Sequence, residues 1–190
     1  MTTDIKQRLL TLLLERSFRY SEEPTFKLAS GKMSNYYIDC RKTTYSSEGQ
    51  YLIGTVIFDR IKDLNINAVG GMTMGADPIS CAVAFAARIN NSCINAFAIR
   101  KERKAHGLQK QVEGAVRAGD RVVIIDDVIT TGGSTIQAVA AARREGLEVV
   151  KVMVLVDREE GGREEIRKHV PEVDAVCTRS ELLEAYKKSA

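Results

Sequence analysis

Val122-Val123-Ile124-Ile125-Asp126-Asp127-Val128-Ile129-Thr130-Thr131-Gly132-Gly133-Ser134-Thr135 is the stretch from which the rest of the chain can be read. An unbroken apolar run ends in two carboxylates, a loop of Thr, Gly and Ser follows, and a helix opens behind it. A strand so uniformly apolar is one covered on both faces. Gly132 and Gly133 let backbone N–H groups come close to an anion, and the dipole of the following helix favours negative charge there. Thr130, Thr131, Ser134 and Thr135 add hydroxyl donors. The loop therefore reads as a phosphate cradle. An acid pair would repel a phosphate, so Asp126 and Asp127 must face hydroxyl donors or a cation. A ribose carrying a 5-phosphate satisfies both halves of the pattern. The Walker spacing G-x-x-x-x-G-K-[ST] is absent, and Gly70–Gly75 does not spell G-x-G-x-x-G, which speaks against a nucleoside-triphosphatase or a dinucleotide site.

Outward from that loop, strands alternate with helices. Strands are expected at Cys93–Ile99, Arg121–Asp126, Val149–Val156 and Val173–Cys177, with a strand end at Ala68–Gly71. Helices are expected at 3–17, from Ser46/Ser47 to about Leu64, from Asp77-Pro78 onward, and at Thr131–Glu145, Gly162–His169 and Arg179–Lys188. This alternation implies one α/β domain over 1–190, an open and mostly parallel sheet flanked by helices. Ligands of such sheets sit beyond the carboxyl ends of the strands. Lys101–Ala118 has high charge and no period, and is expected to be a long functional loop. His169, just before Pro171, reads as a structural cation at a helix end.

The chain has 190 residues, 44% hydrophobic and 28% charged, with a net charge of +3. That is one globular domain with no strong electrostatic bias. Arg143, Arg144 and Lys151 are interspersed with Glu145 and Glu148, an ordinary mixed surface and not a nucleic-acid stripe. Cys40, Cys81, Cys93 and Cys177 lack CxxC spacing, so they read as buried free thiols in a reducing cytoplasm. Asp4, Lys6 and Arg8 break any signal-like run, and no apolar stretch is long enough for a membrane span. A cytoplasmic protein with no nucleic-acid or membrane partner is expected.

The strand-Asp-Asp-x-x-Thr-Thr-Gly-Gly-Ser segment resembles the phosphoribosyl pyrophosphate (PRPP) motif of the type I phosphoribosyltransferase family. Arg100-Lys101-Glu102-Arg103-Lys104-Ala105-His106-Gly107 is similar to the R-K-x-x-K-x-H-G loop of the orotate-using branch. Phe26–Asp39 resembles that branch's S-G-x-x-S-x-Y-Y segment, and Val154–Arg158 extends the likeness over most of 20–160. The resemblance implies transfer of the phosphoribosyl group of PRPP to orotate in pyrimidine synthesis, with Mg2+ as cofactor and a type I fold whose residues 1–40 contribute a small hood over the base. It implies PRPP contacts from Arg100, Lys101, Lys104 and His106 and from the loop residues Asp126, Asp127, Val128, Ile129, Thr130, Thr131, Gly132, Gly133 and Ser134. Lys104, His106 and Asp127 are the expected catalytic groups. Thr130, Arg158, Tyr36, Tyr37 and Lys27 are expected at orotate, with at most one of the adjacent tyrosines touching the base, since strand neighbours face opposite sides. No dedicated metal cage is expected; magnesium would be held mainly by PRPP, with Asp126 or Asp127 reaching it through water. The resemblance further implies a homodimer in which loop 101–115 acts across the interface.

Two departures stand out. Ala29 occupies the place of a lysine directly before the Ser-Gly pair, and Lys27 lies roughly 6–7 Å earlier on the same face of an extended segment. Gly71–Pro78 offers Met and Gly where relatives carry a Tyr-Lys pair, leaving backbone amides at Thr73–Gly75 to meet pyrophosphate. Rival readings are a phosphoribosyltransferase for another base and a regulatory protein that keeps the fold.

Overall fold

The computed structural model describes residues 2–27, 31, 33–102 and 110–189. The chain opens with α1 (Thr2–Arg16), then four short strands, β1 (Phe18–Tyr20), β2 (Phe26–Lys27), β3 (Met33–Ser34) and β4 (Tyr36–Ile38). These form two small antiparallel sheets, β1 with β4 and β2 with β3. Next come α2 (Arg41–Thr44), α3 (Ser47–Ile61), β5 (Ala68–Met72), α4 (Ala76–Ile89), β6 (Asn95–Ile99) and β7 (Val112–Gly114). The second half is β8 (Arg121–Ile129), α5 (Gly133–Arg144), β9 (Glu148–Asp157), α6 (Gly162–Arg167), β10 (Val173–Thr178) and α7 (Arg179–Ser189). The main sheet runs β10-β9-β8-β5-β6-β7, with β7 alone antiparallel to its neighbour.

Alternation along the central strands builds a core on each face. Val123 and Ile125 of β8, with Met153 and Leu155 of β9, join leucines and isoleucines of α1 and α3. Val122, Ile124, Val152 and Val154 point the other way, onto Ala138, Val139 and Ala142 of α5. The leucine stripe of α1 (Leu9, Leu12, Leu13) is buried in the first of these cores. Within the span 1–40, then, α1 is core material, while the strands of 18–38 form sheets separate from the main one.

Two segments differ from the sequence expectation. Lys101–Ala118 is not loop throughout: Val112 is buried in the second core, and its strand pairs antiparallel with β6 from Val112↔Ile99 to Gly114↔Phe97. A strand of three residues with one buried side chain leaves almost no periodic signal. The apolar run expected to end at Asp126 continues as strand to Ile129, because β9 extends beside it and pairs Val128 with Val156 and Ile129 with Asp157. Pairing with a distant strand overrides the local polarity of two aspartates.

Those pairings also open a crevice in the sheet. β5 and β8 are in register only as far as Gly70↔Ile124. Beyond that point β5 stays with β6 to Met72↔Ile99, and β8 stays with β9. The two strands diverge where the chain order of the sheet reverses, the place at which open α/β sheets bind ligands.

Two of the four thiols are also not where the sequence suggested. Cys40 and Cys177 are buried, but Cys81 on α4 and Cys93 in the turn before β6 are exposed.

Candidate active site

A cavity of about 640 Å³ fills the divergence between β5 and β8. Its wall brings together Asp126, Asp127, Val128 and Ser134 from the phosphate loop and its strand, Met72–Gly75 from the turn after β5, Tyr37–Arg41 from the end of β4, and Lys101. Both aspartates reach it although they are neighbours on one strand. Val128 packs with the first core and Ile129 with the second, so the alternation reverses across the acid pair.

Each carboxylate is fixed by its own neighbours. Asp126 accepts the hydroxyl hydrogen of Thr135 and, at 3.0 Å, the backbone N–H of Asp127. Thr135, read from sequence as a donor to phosphate, is thus committed to Asp126, because α5 presents it inward as a buried residue. Asp127 accepts from the N–H of Val128 at 3.0 Å and lies so close to Gly75 that any side chain there would strike its carboxylate. Burial pushes the Asp126 carboxyl up to about 7 and raises Asp127 as well. The Cys40 thiol, driven far up by burial and next by the charge of Asp127, is a neutral part of the wall.

Gly132 adopts the left-handed conformation (φ 83°) at the entrance to α5, and a side chain there would meet the Gly162 carbonyl at 2.9 Å. Ser134 lines the cavity; Thr130, Thr131, Gly132, Gly133 and the buried Ile129 lie outside its wall. In the turn after β5, the N–H of Thr73 is taken by the Ile99 carbonyl at 2.9 Å. Of the three amides expected for pyrophosphate, those of Met74 and Gly75 remain as candidates.

Residues 59–180 match the Phosphoribosyl transferase domain family. An orotate phosphoribosyltransferase of Aquifex aeolicus (strain VF5) is 46% identical over 178 residues, spanning 94% of this chain and 97% of the relative. The chain belongs to the orotate phosphoribosyltransferases. A second relative of that name, from Streptomyces coelicolor, is 42% identical across 87% of this chain and 89% of its own length. Among solved structures, the Mycobacterium tuberculosis H37Rv orotate phosphoribosyltransferase in complex with PRPP superposes with a TM-score of 0.76 at 28% identity, covering 94% of this chain and 92% of that one.

In this orotate phosphoribosyltransferase chain the remaining expected residues divide into three groups. Tyr37 lines the cavity and stacks on Phe26 at 6.1 Å, whereas Tyr36 stacks on the core residue Phe18 at 6.4 Å. Arg158 lies apart from the cavity wall. Its guanidinium stands 5.0 Å over the Tyr36 ring, donates to the Tyr36 hydroxyl at 3.3 Å and pairs with Glu160 at 2.9 Å, while its buried Nε has no partner. Arg100 also points elsewhere, its Nε donating to Glu113 at 3.1 Å, and Lys27 is exposed on β2 outside the wall. Lys104, His106 and the departure at Ala29 lie outside the described residues.

Sequence reading gave no role to Asp39 or Arg41. The Arg41 guanidinium grips Asp39 through Nε at 2.8 Å and Nη2 at 3.1 Å, holding that carboxyl below the usual carboxylate range. The available signal was an Asp-x-Arg triplet closing the Tyr-Tyr-Ile strand.

Proposed function

We infer that the chain transfers the 5-phosphoribosyl group of PRPP to orotate, giving orotidine 5'-monophosphate and pyrophosphate for pyrimidine nucleotide synthesis. The observation that carries this reading is the pairing of Asp126–Asp127 with Ser134 and the Gly132 turn at the one point where the sheet opens. The loop takes the 5-phosphate on backbone N–H groups and the helix dipole. The two carboxylates accept the 2- and 3-hydroxyls and favour positive charge on the sugar as the bond to pyrophosphate breaks. Lys101, Lys104 and His106 meet the departing anion, and closure of their segment keeps water from the ribosyl cation. Orotate lies towards Tyr37 under the small sheets of 18–38, with Thr130 and Arg158 as donors to the anionic base and Lys27 as a further cation.

Two buried carboxylates whose ionised form burial disfavours are a donor set that suits a hard cation. Mg2+ carried by PRPP would touch Asp126 or Asp127 through water, and when bound it neutralises diphosphate charge. Four free thiols support a reducing cytoplasm as the compartment. A homodimer sharing segment 101–115 between sites completes the reading. Among the described residues, the exposed Phe85 and Ile89 on α4 supply apolar surface for such a contact.

The test is a spectrophotometric assay with PRPP, magnesium and orotate, run beside uracil, hypoxanthine and adenine. Orotate alone should turn over, and Lys104→Ala should lower the rate about 100-fold or more, the scale of losing one preorganised charge. Turnover with a different base would overturn the orotate assignment.

A further inference from the structure

We propose that Arg41 binds the diphosphate of PRPP and bears part of the charge of the departing pyrophosphate. The inference rests on the reading of this cavity as the PRPP site. PRPP is a polyanion, yet the cavity wall presents three carboxylates, Asp39, Asp126 and Asp127. Among its described residues only Arg41 and Lys101 are cations, and the turn Met72–Gly75 contributes no charged side chain.

The positions of these groups assign ends to the cavity. Ser134, with Asp126 and its partner Thr135, marks the end next to α5, where the 5-phosphate loop lies. On the β5 side Gly75 abuts Asp127, which also feels the charge of Arg41. The ribose spans the acid pair, so its diphosphate falls between the Met74–Gly75 turn and Arg41. A guanidinium suits that place, since its planar fork matches phosphate oxygens and its charge does not titrate.

Asp39 prepares the group for this work. It holds Arg41 by the Nε–Nη2 edge, two of the five N–H donors, and also accepts the Arg41 backbone N–H at 3.2 Å. The side chain is thereby fixed while 56% exposed, accessible to a ligand entering from solvent. A tethered cation loses less rotamer freedom on binding than a free one.

The experiment compares wild type, Arg41→Gln, Arg41→Lys and Asp39→Asn in the reverse reaction with orotidine 5'-monophosphate and magnesium pyrophosphate. Calorimetric titration of each protein with PRPP accompanies it. Arg41→Gln should raise the pyrophosphate KM and the PRPP Kd by about 10- to 100-fold, the range for one charge-assisted hydrogen-bonded contact. Its orotidine 5'-monophosphate KM should stay within about twofold, and Arg41→Lys should recover only part of the loss, since it restores a point charge without the planar fork. Asp39→Asn loosens the tether but also removes a carboxylate beside the diphosphate, so its pyrophosphate KM should stay within a factor of about three of wild type. A pyrophosphate KM unchanged in Arg41→Gln overturns the proposal. So does an equal loss in Asp39→Asn, which would make the pair a structural clasp. Failure of the wild type itself to bind PRPP would instead overturn the reading of the cavity.

Discussion

Burial pushes the Asp126 carboxyl up to about 7, even though the hydroxyl of Thr135 donates to it and opposes the shift. In the unfolded chain the same group titrates near the ordinary 3.8. Between those two values the folded protein holds a proton that the unfolded chain has lost. By linkage its stability therefore falls as pH rises through this window and levels off above it. Denaturant midpoints of the free protein measured from pH 4 to pH 8 should show that decline, and Asp126→Asn should flatten it. Ligand binding reads the same group from the other side. Ribose hydroxyls and magnesium favour the ionised carboxylate, so PRPP binding near pH 6 should release up to about one proton. Calorimetry in buffers of different ionisation enthalpy measures the release directly, and Asp126→Asn should diminish it. Absence of proton release in the wild type would mean that Asp126 does not meet the ligand as an anion.

The crossing of α3 over α4 depends on one glycine. A side chain at Gly54 would come within 2.5 Å of the Ala82 carbonyl, and the carbonyl belongs to a helix that cannot shift alone. Gly54→Val should cost roughly 1–3 kcal/mol through overpacking, with a β-branched penalty added. Urea denaturation would show the loss, and an unchanged midpoint would mean that the helices separate freely. Local signals of this kind explain which elements could be read from sequence. Ser46 caps α3 by accepting the Gly49 N–H at 3.1 Å, and Pro78 sits in the first turn of α4, so both starts are written in a few adjacent residues. The doubly covered strands announce themselves by hydropathy. What the sequence concealed depends on pairing at a distance. β7 exists because β6 offers an edge, and β8 outruns its apolar run because β9 accompanies it. Arg41 was overlooked for the same reason: only folding carries the end of β4 into one cavity with β8, and the Asp-x-Arg triplet does not by itself say what it faces.

The cavity takes Lys101 from the foot of a segment whose expected catalytic residues, Lys104 and His106, are proposed to serve the neighbouring subunit. The surface available for such a partner includes a row on α4. Cys81, Phe85 and Ile89 are exposed at successive i,i+4 positions, with Phe85 at 70% and Ile89 at 64% of full accessibility. Two large apolar side chains left so open on a helix with an otherwise buried face are the surface we propose for that contact, and a two-fold axis would bury the same row from both copies. The decisive test combines two inactive proteins. Lys104→Ala keeps an intact acid pair, and Asp127→Asn keeps an intact basic segment. If the segment acted only within its own chain, a mixture of the two would stay inactive. If it acts across the interface, half of the randomly exchanged dimers are mixed, each carries one site with both halves intact, and activity returns to roughly one quarter of wild type. Phe85→Glu placed in both partners should block the exchange, leave sedimentation at the monomer and prevent the rescue. Recovery with a dimeric sedimentation coefficient would move the interface away from α4, whereas a mixture that stays inactive while mixed dimers form would return the segment to its own site.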